Sequence, residues 1–459
     1  MRASFLNRAS HGSSLLFTSL VLTASCASKN DSAPGSTPAD DTGATPAVDS
    51  GAPGVDATRE DTTSPPTDTA VAKDATPPPC ADASCDGLIA QEWGTYTSVQ
   101  GTDGKTLGGV HHVDEALPNW VHSRNFTNPS SYFFEKLPEE PLQQLETPVI
   151  YFWSKKAIDV EVKVDFPKGV VGEWYPDAKS YAPKIDSLTG VSNGTMTWSV
   201  SVDPAIAASS FPPIDPTNIW GPSRNVKSTP LRFPSTTGGA GENEQFIFYR
   251  GLATYDAAIR VTSGADGVLH VSNTSSDDVP AAFALQVVGD KAQIVPIGAL
   301  KGGKTLDVTP PSPTQPLATY VTEAQRVLKD ALVESGLYDD VAKAMVETWT
   351  RSWFKNTGLR ILYLAPRKWT DGWLPLNITP APIALTRTLV GRIEVITKSE
   401  EPALVASIRE AAKTHATFDI AALGRFAEPR LRRAYELLTL STDDKAYALG
   451  LVDESHARP

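Results

Sequence analysis

His111-His112-Val113-Asp114-Glu115, with His122 downstream, is the one cluster of metal-capable side chains in the sequence. Zinc takes three or four N, O or S ligands, with N and O at about 2.0–2.2 Å. Neighbouring histidines on a strand point to opposite faces, so His111, His112 and Asp114 could share an ion only from a loop. A polar surface loop without metal is the simpler expectation, and no metal is assigned. Gly298-Ala-Leu-Lys-Gly-Gly-Lys304-Thr305 matches the phosphate-binding P-loop pattern. That pattern needs a helix whose N-terminal amides face the phosphate. Here Leu-Asp-Val-Thr-Pro-Pro-Ser-Pro follows, which cannot form one. The stretch reads instead as a hairpin turn between strands 293–297 and 305–308, with no nucleotide. Ser352-Trp-Phe-Lys355 fits the S-x-x-K pattern of acyl-transfer serine enzymes, but their companion S-D-N and K-T-G motifs are absent. Such short patterns recur by chance, and a lysine at the end of an amphipathic helix is the expected reading.

Paired carboxylates cleave glycosidic bonds when they face each other roughly 5–10 Å apart. Glu92, Glu146, Glu173 and Asp371 lie beside aromatic residues, where desolvation raises a carboxyl pKa. Such acids are also common partners of arginine, and spacing does not show whether two converge. All 10 Trp lie between positions 93 and 373. Trp349 and Trp353, at i and i+4, share a helix face and read as core. Trp369 and Trp373 flank Asp371 in what reads as a loop, an arrangement suited to stacking on sugar rings. Glu92, Trp93, Trp369, Asp371 and Trp373 are therefore the candidate ligand-binding residues. No catalytic residue and no cofactor is assigned, and neither G-x-S-x-G nor H-E-x-x-H occurs.

The elements that would position these residues follow from hydrophobic period. Ile158-Asp-Val-Glu-Val-Lys-Val-Asp-Phe166 alternates without a fault, and Met196-Thr-Trp-Ser-Val-Ser-Val202 does the same. This pattern marks antiparallel strands with one face in water. Further strands are expected at 89–97, 149–153, 245–249, 258–262, 268–272, 282–288, 293–297 and 305–308. Turn signals such as Asn193-Gly194 and Gly289-Asp290 separate many of them. Residues 80–310 thus read as a mainly β, antiparallel sandwich-like region, with 267–308 like half of an Ig-like sandwich. After the proline-rich break at 309–316 the period becomes helical. Helices are expected at 318–335, closed by Gly336, and at 339–354, 402–414 and 427–440. Strands at 360–365 and 388–397 make residues 317–459 a mixed α/β segment.

Composition bounds the setting. The 459-residue chain has a formal charge of −12, and no later stretch is apolar for ~20 residues. Its acidity argues against nucleic acid, which needs clustered Lys and Arg. Arg2 and Arg8 precede the apolar run 12–22, and Thr23-Ala24-Ser25 leads into Cys26. This is a secretory signal over residues 1–25. It resembles a bacterial lipoprotein signal, which implies lipidation of Cys26, although Leu22 stands four residues before the cysteine rather than the usual three. Residues 27–79 contain no Phe, Trp, Tyr, Leu, Ile or Met and carry nine acids against three bases. They cannot bury enough apolar surface to offset ordering entropy, so 26–79 reads as a lipidated cysteine followed by a disordered tether. With Cys26 lipidated, Cys80 and Cys85 can pair across a short loop in an oxidising compartment, or stay as free thiols.

Glu92-Trp-Gly-Thr-Tyr-Thr-Ser98, Glu146-Thr-Pro-Val-Ile-Tyr-Phe152, Glu173-Trp-Tyr-Pro176, Phe246-Ile-Phe-Tyr-Arg-Gly251, Ser352-Trp-Phe354, Leu374-Pro-Leu376 and Val390-Gly-Arg392 resemble a family of exported bacterial lipoproteins of no established function. The resemblance spans about residues 88–440 and implies one shared fold unit and no known reaction. The expectation is an extracytoplasmic chain held to a membrane by its N-terminal lipid. It would bind or scaffold at the cell envelope, with a glycan or an envelope protein as partner. The alternative is a hydrolase of an envelope polymer or external glycan.

Overall fold

The computed structural model describes residues 86–110, 112–113, 116–124, 142–183, 193–236, 238–264, 266–438 and 442–456. All lie within the unit Thr67–Pro459. Cys26, Cys80, Cys85, His111, Asp114 and the tether fall outside the described residues.

The fold is mixed α/β, a large β core with helices concentrated toward the C-terminus. The first half supplies β1 (Ile89–Gln100), β2 (Thr106–Leu107), β3 (His122–Ser123), β4 (Gln143–Trp153), β5 (Ile158–Phe166), β6 (Gly169–Tyr175), β7 (Ser180–Ala182) and β8 (Gly194–Val202). A short helix α1 (Gly221–Arg224) precedes β9 (Leu231–Phe233), β10 (Glu242–Glu244), β11 (Ile247–Ala253), β12 (Ile259–Ser263) and β13 (Leu269–Asn273). Next come β14 (Val279–Val288), β15 (Lys291–Leu300), β16 (Thr305–Val308), β17 (Gln315–Pro316), α2 (Leu317–Glu334) and α3 (Asp339–Trp349). A π-helical turn, Thr350–Lys355, leads into β18 (Gly358–Leu364), α4 (Arg367–Trp373), β19 (Leu376–Thr379) and β20 (Ala384–Val395). The chain ends in α5 (Glu400–Thr414), α6 (Ala427–Leu437) and α7 (Thr442–His456).

The large sheet runs β17-β15-β14-β18-β20-β1-β4-β11-β6-β3. Strands β18 and β20, from the segment after the proline-rich break, lie at its centre. The change of period at 309–316 therefore marks a change of secondary structure and not a break in the sheet. Strand β20 pairs with β1 in parallel over all twelve residues, so the sheet that joins the two segments is mixed.

Two smaller sheets, β10-β9-β8-β5-β19 with β7 on β8, and β12-β13-β16, complete the strands. The alternation of β5 and β8 is kept: Val160, Val162, Val164, Phe166, Met196, Trp198 and Val200 are buried, and Asp159 and Glu161 are exposed. Burying each such apolar side chain contributes about 1.5–3 kcal/mol. These residues form one core with Ala90, Tyr96, Ile150 and Tyr249 of the large sheet. The opposite face of that sheet, with Ile89, Trp93, Val149 and Phe248, packs on Tyr320, Ala324, Leu328 and Leu332 of α2 and on α3. Gly336, at φ 102°, closes α2 as its C′ residue, a backbone position that suits glycine. Helices α5–α7 have their own core.

The P-loop-like stretch is a turn, as the absence of a following helix required, but not a hairpin. Strand β15 belongs to the large sheet and β16 pairs with β13, so Lys301–Lys304 carries the chain between sheets. The second difference is at 367–373. The expected loop is helix α4, begun after Pro366, a residue whose fixed φ suits a helix start.

Candidate functional site

Strand β1 is covered on both faces, yet Gln91, Glu92, Thr95, Thr97, Ser98 and Gln100 are all buried. Buried polar groups need partners. Gln91 receives the Tyr338 amide at 2.9 Å and donates to Gly336 O, and Gln100 bridges the backbone of Ile259 and Val261. Glu92 sits directly beside Arg387 of the parallel strand. Its carboxylate receives Arg387 Nε at 2.5 Å and the Tyr249 hydroxyl at 2.5 Å. Arg387 Nη1 continues to Asp371 at 2.8 Å, and Asp371 also holds Arg367. Tyr96, Tyr249 and Tyr255 gather around this pair, and burial keeps their hydroxyls well above the usual phenol pKa.

The aromatic candidates belong to this packing. Trp93 is fully buried among the helix-facing residues. Trp373 stacks on Tyr255 at 4.5 Å and meets Tyr96 edge-on, and Trp369 donates its indole N–H to Asp277 at 3.0 Å. Trp369 and Trp373 thus fill the inter-sheet core from α4, where sugar-stacking rings on a loop were expected. Asp371 is half exposed but paired with two arginines. His112 lies beside Glu428, at 3.8 Å, and burial lowers its pKa. His122 instead bonds Glu242 at 3.0 Å. Among the described residues no three His, Cys, Asp or Glu side chains are placed to hold a metal ion.

A different cluster forms on the helix-facing side of the sheet. Strand β4 carries one extra residue against both neighbours, between Glu146 and Val149. Pro148 lacks an amide for the ladder, which favours a bulge there. Thr147 takes φ 44°, a strained value for a β-branched residue. Glu146 receives Thr97 Oγ1 at 2.9 Å and is ion-paired with Arg425. Opposite the bulge, α3 widens into the π-turn, a distortion frequent at functional sites. Arg360 of β18 holds that turn by donating to the Trp353 and Asn356 carbonyls. Arg360 and Arg392 both reach Glu394 Oε1, at 2.8 Å and 2.7 Å. Burial alone would raise the Glu394 pKa, but the two guanidinium groups outweigh it and hold it low. Arg392 Nη1 then donates to Ser352 Oγ at 2.6 Å. Arg392 and Arg425 flank the Phe426 ring at 5.2 Å and 4.8 Å.

Between the bulge and the π-turn lies a cavity of about 30 Å³, walled by Glu146, Thr147, Arg250, Thr348, Trp349, Ser352 and Arg425. Arg250 is paired with Glu173. Thr147 Oγ1, Thr348 Oγ1 and Trp349 Nε1 are buried with no hydrogen-bond partner among the described residues. Another depression, about 510 Å³, is an open groove on β5, β8 and β9. Its charged side chains Asp159 and Glu161 are solvated, and it gathers no unsatisfied groups, so the bulge cavity is the stronger candidate.

Sequence reasoning named Glu146, Glu173 and Ser352 but not their cavity, and it missed Thr147, Arg250, Thr348, Arg392 and Arg425 as site residues. Strand phrases far apart in sequence meet here: Thr97, Glu146-Thr147, Glu173, Arg250, Ser352 and Arg392 each line the cavity or bond a residue that does. Lys355 does not join them. The Ser352 partner is the guanidinium of Arg392, so the S-x-x-K match makes no Ser–Lys pair.

No protein-family model and no curated protein matches the chain. Among solved structures it is similar to the Fcho1 Mu homology domain of Danio rerio with bound Eps15 peptide, at 7% identity and a TM-score of 0.23. That match covers 68% of this chain and 96% of the other. A likeness at this TM-score carries no argument about fold or function.

Proposed function

We propose that the chain is a membrane-tethered, extracytoplasmic lipoprotein that binds an envelope ligand at the bulge cavity without turning it over. One observation carries the binding side of this reading. Among the described residues, each carboxylate in and behind the cavity is held by arginine: Glu146 by Arg425, Glu173 by Arg250, Glu394 by Arg360 and Arg392. A general acid or base must exchange its proton near neutral pH, and the Glu394 carboxyl, held low by two guanidinium groups, is stabilised in its charged form. Arg392, which donates to Ser352, cannot accept its proton. The cavity meanwhile offers three buried polar atoms that a bound group would satisfy. The anchoring side rests on the sequence around Cys26.

The test has two arms. The mature chain should partition with membranes, and Cys26→Ala should release it or block processing. A native chain that carries no lipid and is freely soluble would refute the anchor. Purified chain should bind envelope glycans or envelope proteins without degrading them, and a Glu146→Gln variant should change affinity rather than abolish a reaction. Hydrolysis lost in that single variant would replace this reading with the hydrolase.

A further inference from the structure

We infer that the group received by the bulge cavity is a carboxylate, presented by an acidic sugar or by a peptide C-terminus. The inference rests on the binding reading above and specifies its ligand chemistry. Three features meet at the cavity. The first is donor chemistry. The Trp349 indole N–H only donates, and Thr147 and Thr348 add two hydroxyls, so the missing partner must accept hydrogen bonds. These side chains are each more than nine-tenths buried, and leaving such groups unsatisfied is unfavourable.

The second feature is charge. The connected group around the cavity holds four arginines, Arg250, Arg360, Arg392 and Arg425, against the carboxylates Glu146, Glu173 and Glu394. Among the described residues the guanidinium groups of this cluster outnumber its carboxylates, and in surroundings of low dielectric that favours an anion. The third is size. About 30 Å³ has room for two or three water-sized groups at ~10–15 Å³ each. A two-oxygen head fits, while a sugar ring or side chain must stay outside. The strained Thr147 backbone and the π-turn hold the donors in place before the ligand arrives.

Titration calorimetry of the full chain at pH 7 tests this with D-glucuronate and N-acetyl-alanine, each beside its uncharged counterpart, glucose and N-acetyl-alaninamide. At least one carboxylate should bind ten-fold or more tightly than its counterpart, and which one binds separates the sugar source from the peptide source. Thr348→Val should weaken that binding at least five-fold while leaving the ligand-free melting temperature unchanged or raised, because an orphaned hydroxyl is removed. Trp349→Phe serves as the second variant with the same expected loss. Equal affinity for charged and uncharged probes, lost in Thr348→Val, would overturn the carboxylate and leave the binding reading standing. No binding of any probe, or a ligand-free melting temperature lowered in Thr348→Val, would mean that water or the fold itself satisfies the cavity, and would overturn the inference. Binding to envelope material would still be judged by its own assay.

Discussion

Removing the Glu92 carboxylate should destabilise the fold sharply. Glu92 and Arg387 are 0% and 1% exposed at their side chains, and the Glu92 carboxylate also receives the Tyr249 hydroxyl. In Glu92→Ala, Arg387 keeps only Asp371, which is 46% exposed and shared with Arg367. Losing one partner of a buried pair costs about 3–5 kcal/mol, because the other charge stays behind in low dielectric. With roughly 340 described residues and about 2.1 cal/mol/K per residue, the unfolding entropy is near 0.7 kcal/mol/K. The melting temperature should therefore fall by about 4–7 °C. Glu92→Met with Arg387→Met should recover most of the loss, since neither charge is then stranded. The assay is calorimetric or urea unfolding of the single and double variants. A single-variant cost under about 1 kcal/mol, or a double variant worse than either single, would refute this account of the pair.

Gly391→Ala should be severely destabilising. Its new Cβ would lie 2.0 Å from the Tyr363 ring, so soluble expression or unfolding of this variant reads the effect directly, and near-native stability would count against the packing. His122 gives a pH dependence. Its hydrogen bond to Glu242 outweighs burial and raises its pKa in the folded state. Its contribution is therefore full below the ordinary histidine value of about 6.5 and is lost as pH rises through the higher folded value. The stability difference between native chain and His122→Ala should shrink across that window, and a difference flat from pH 5 to 9 would contradict it.

Much of the fold is legible in the sequence because strand alternation is a local signal. Strands β5 and β8 lie with one face toward solvent, and their charges declare it. Strand β1 gives a weaker signal, since it is buried on both faces yet reads as polar. Its partners come from far along the chain: Glu92 and Arg387 are 295 residues apart. No period in either strand encodes that register, so the parallel pairing and the central place of β18 and β20 were not readable. The cavity had one local signal. Glu146-Thr147-Pro148 inside an apolar strand announces a bulge, because proline cannot serve a ladder. The π-turn had none, and without it Ser352 reads as one more helical position. For Trp369 and Trp373, Pro366 marked a helix start that the flanking Asp371 obscured.

The same geometry separates two of the four acids weighed as paired carboxylates. Glu92 and Glu146 stand on neighbouring strands, β1 and β4, within one sheet. Side chains alternate between faces, and the β4 bulge sets which way Glu146 points. Glu92 turns toward the small sheets, where Tyr249 and Tyr96 belong to that core. Glu146 turns toward the helices, beside Thr348 and Trp349. The thickness of the sheet lies between them, and no substrate group can meet both. Their variants should accordingly behave differently. Glu92→Ala should lose ligand binding only in proportion to the unfolded fraction, so that binding per folded molecule is unchanged. Glu146→Gln removes the carboxylate that pairs with Arg425 at the cavity wall and should alter binding in molecules that remain folded. A Glu92 variant that stays folded and no longer binds would place the ligand on the other side of the sheet.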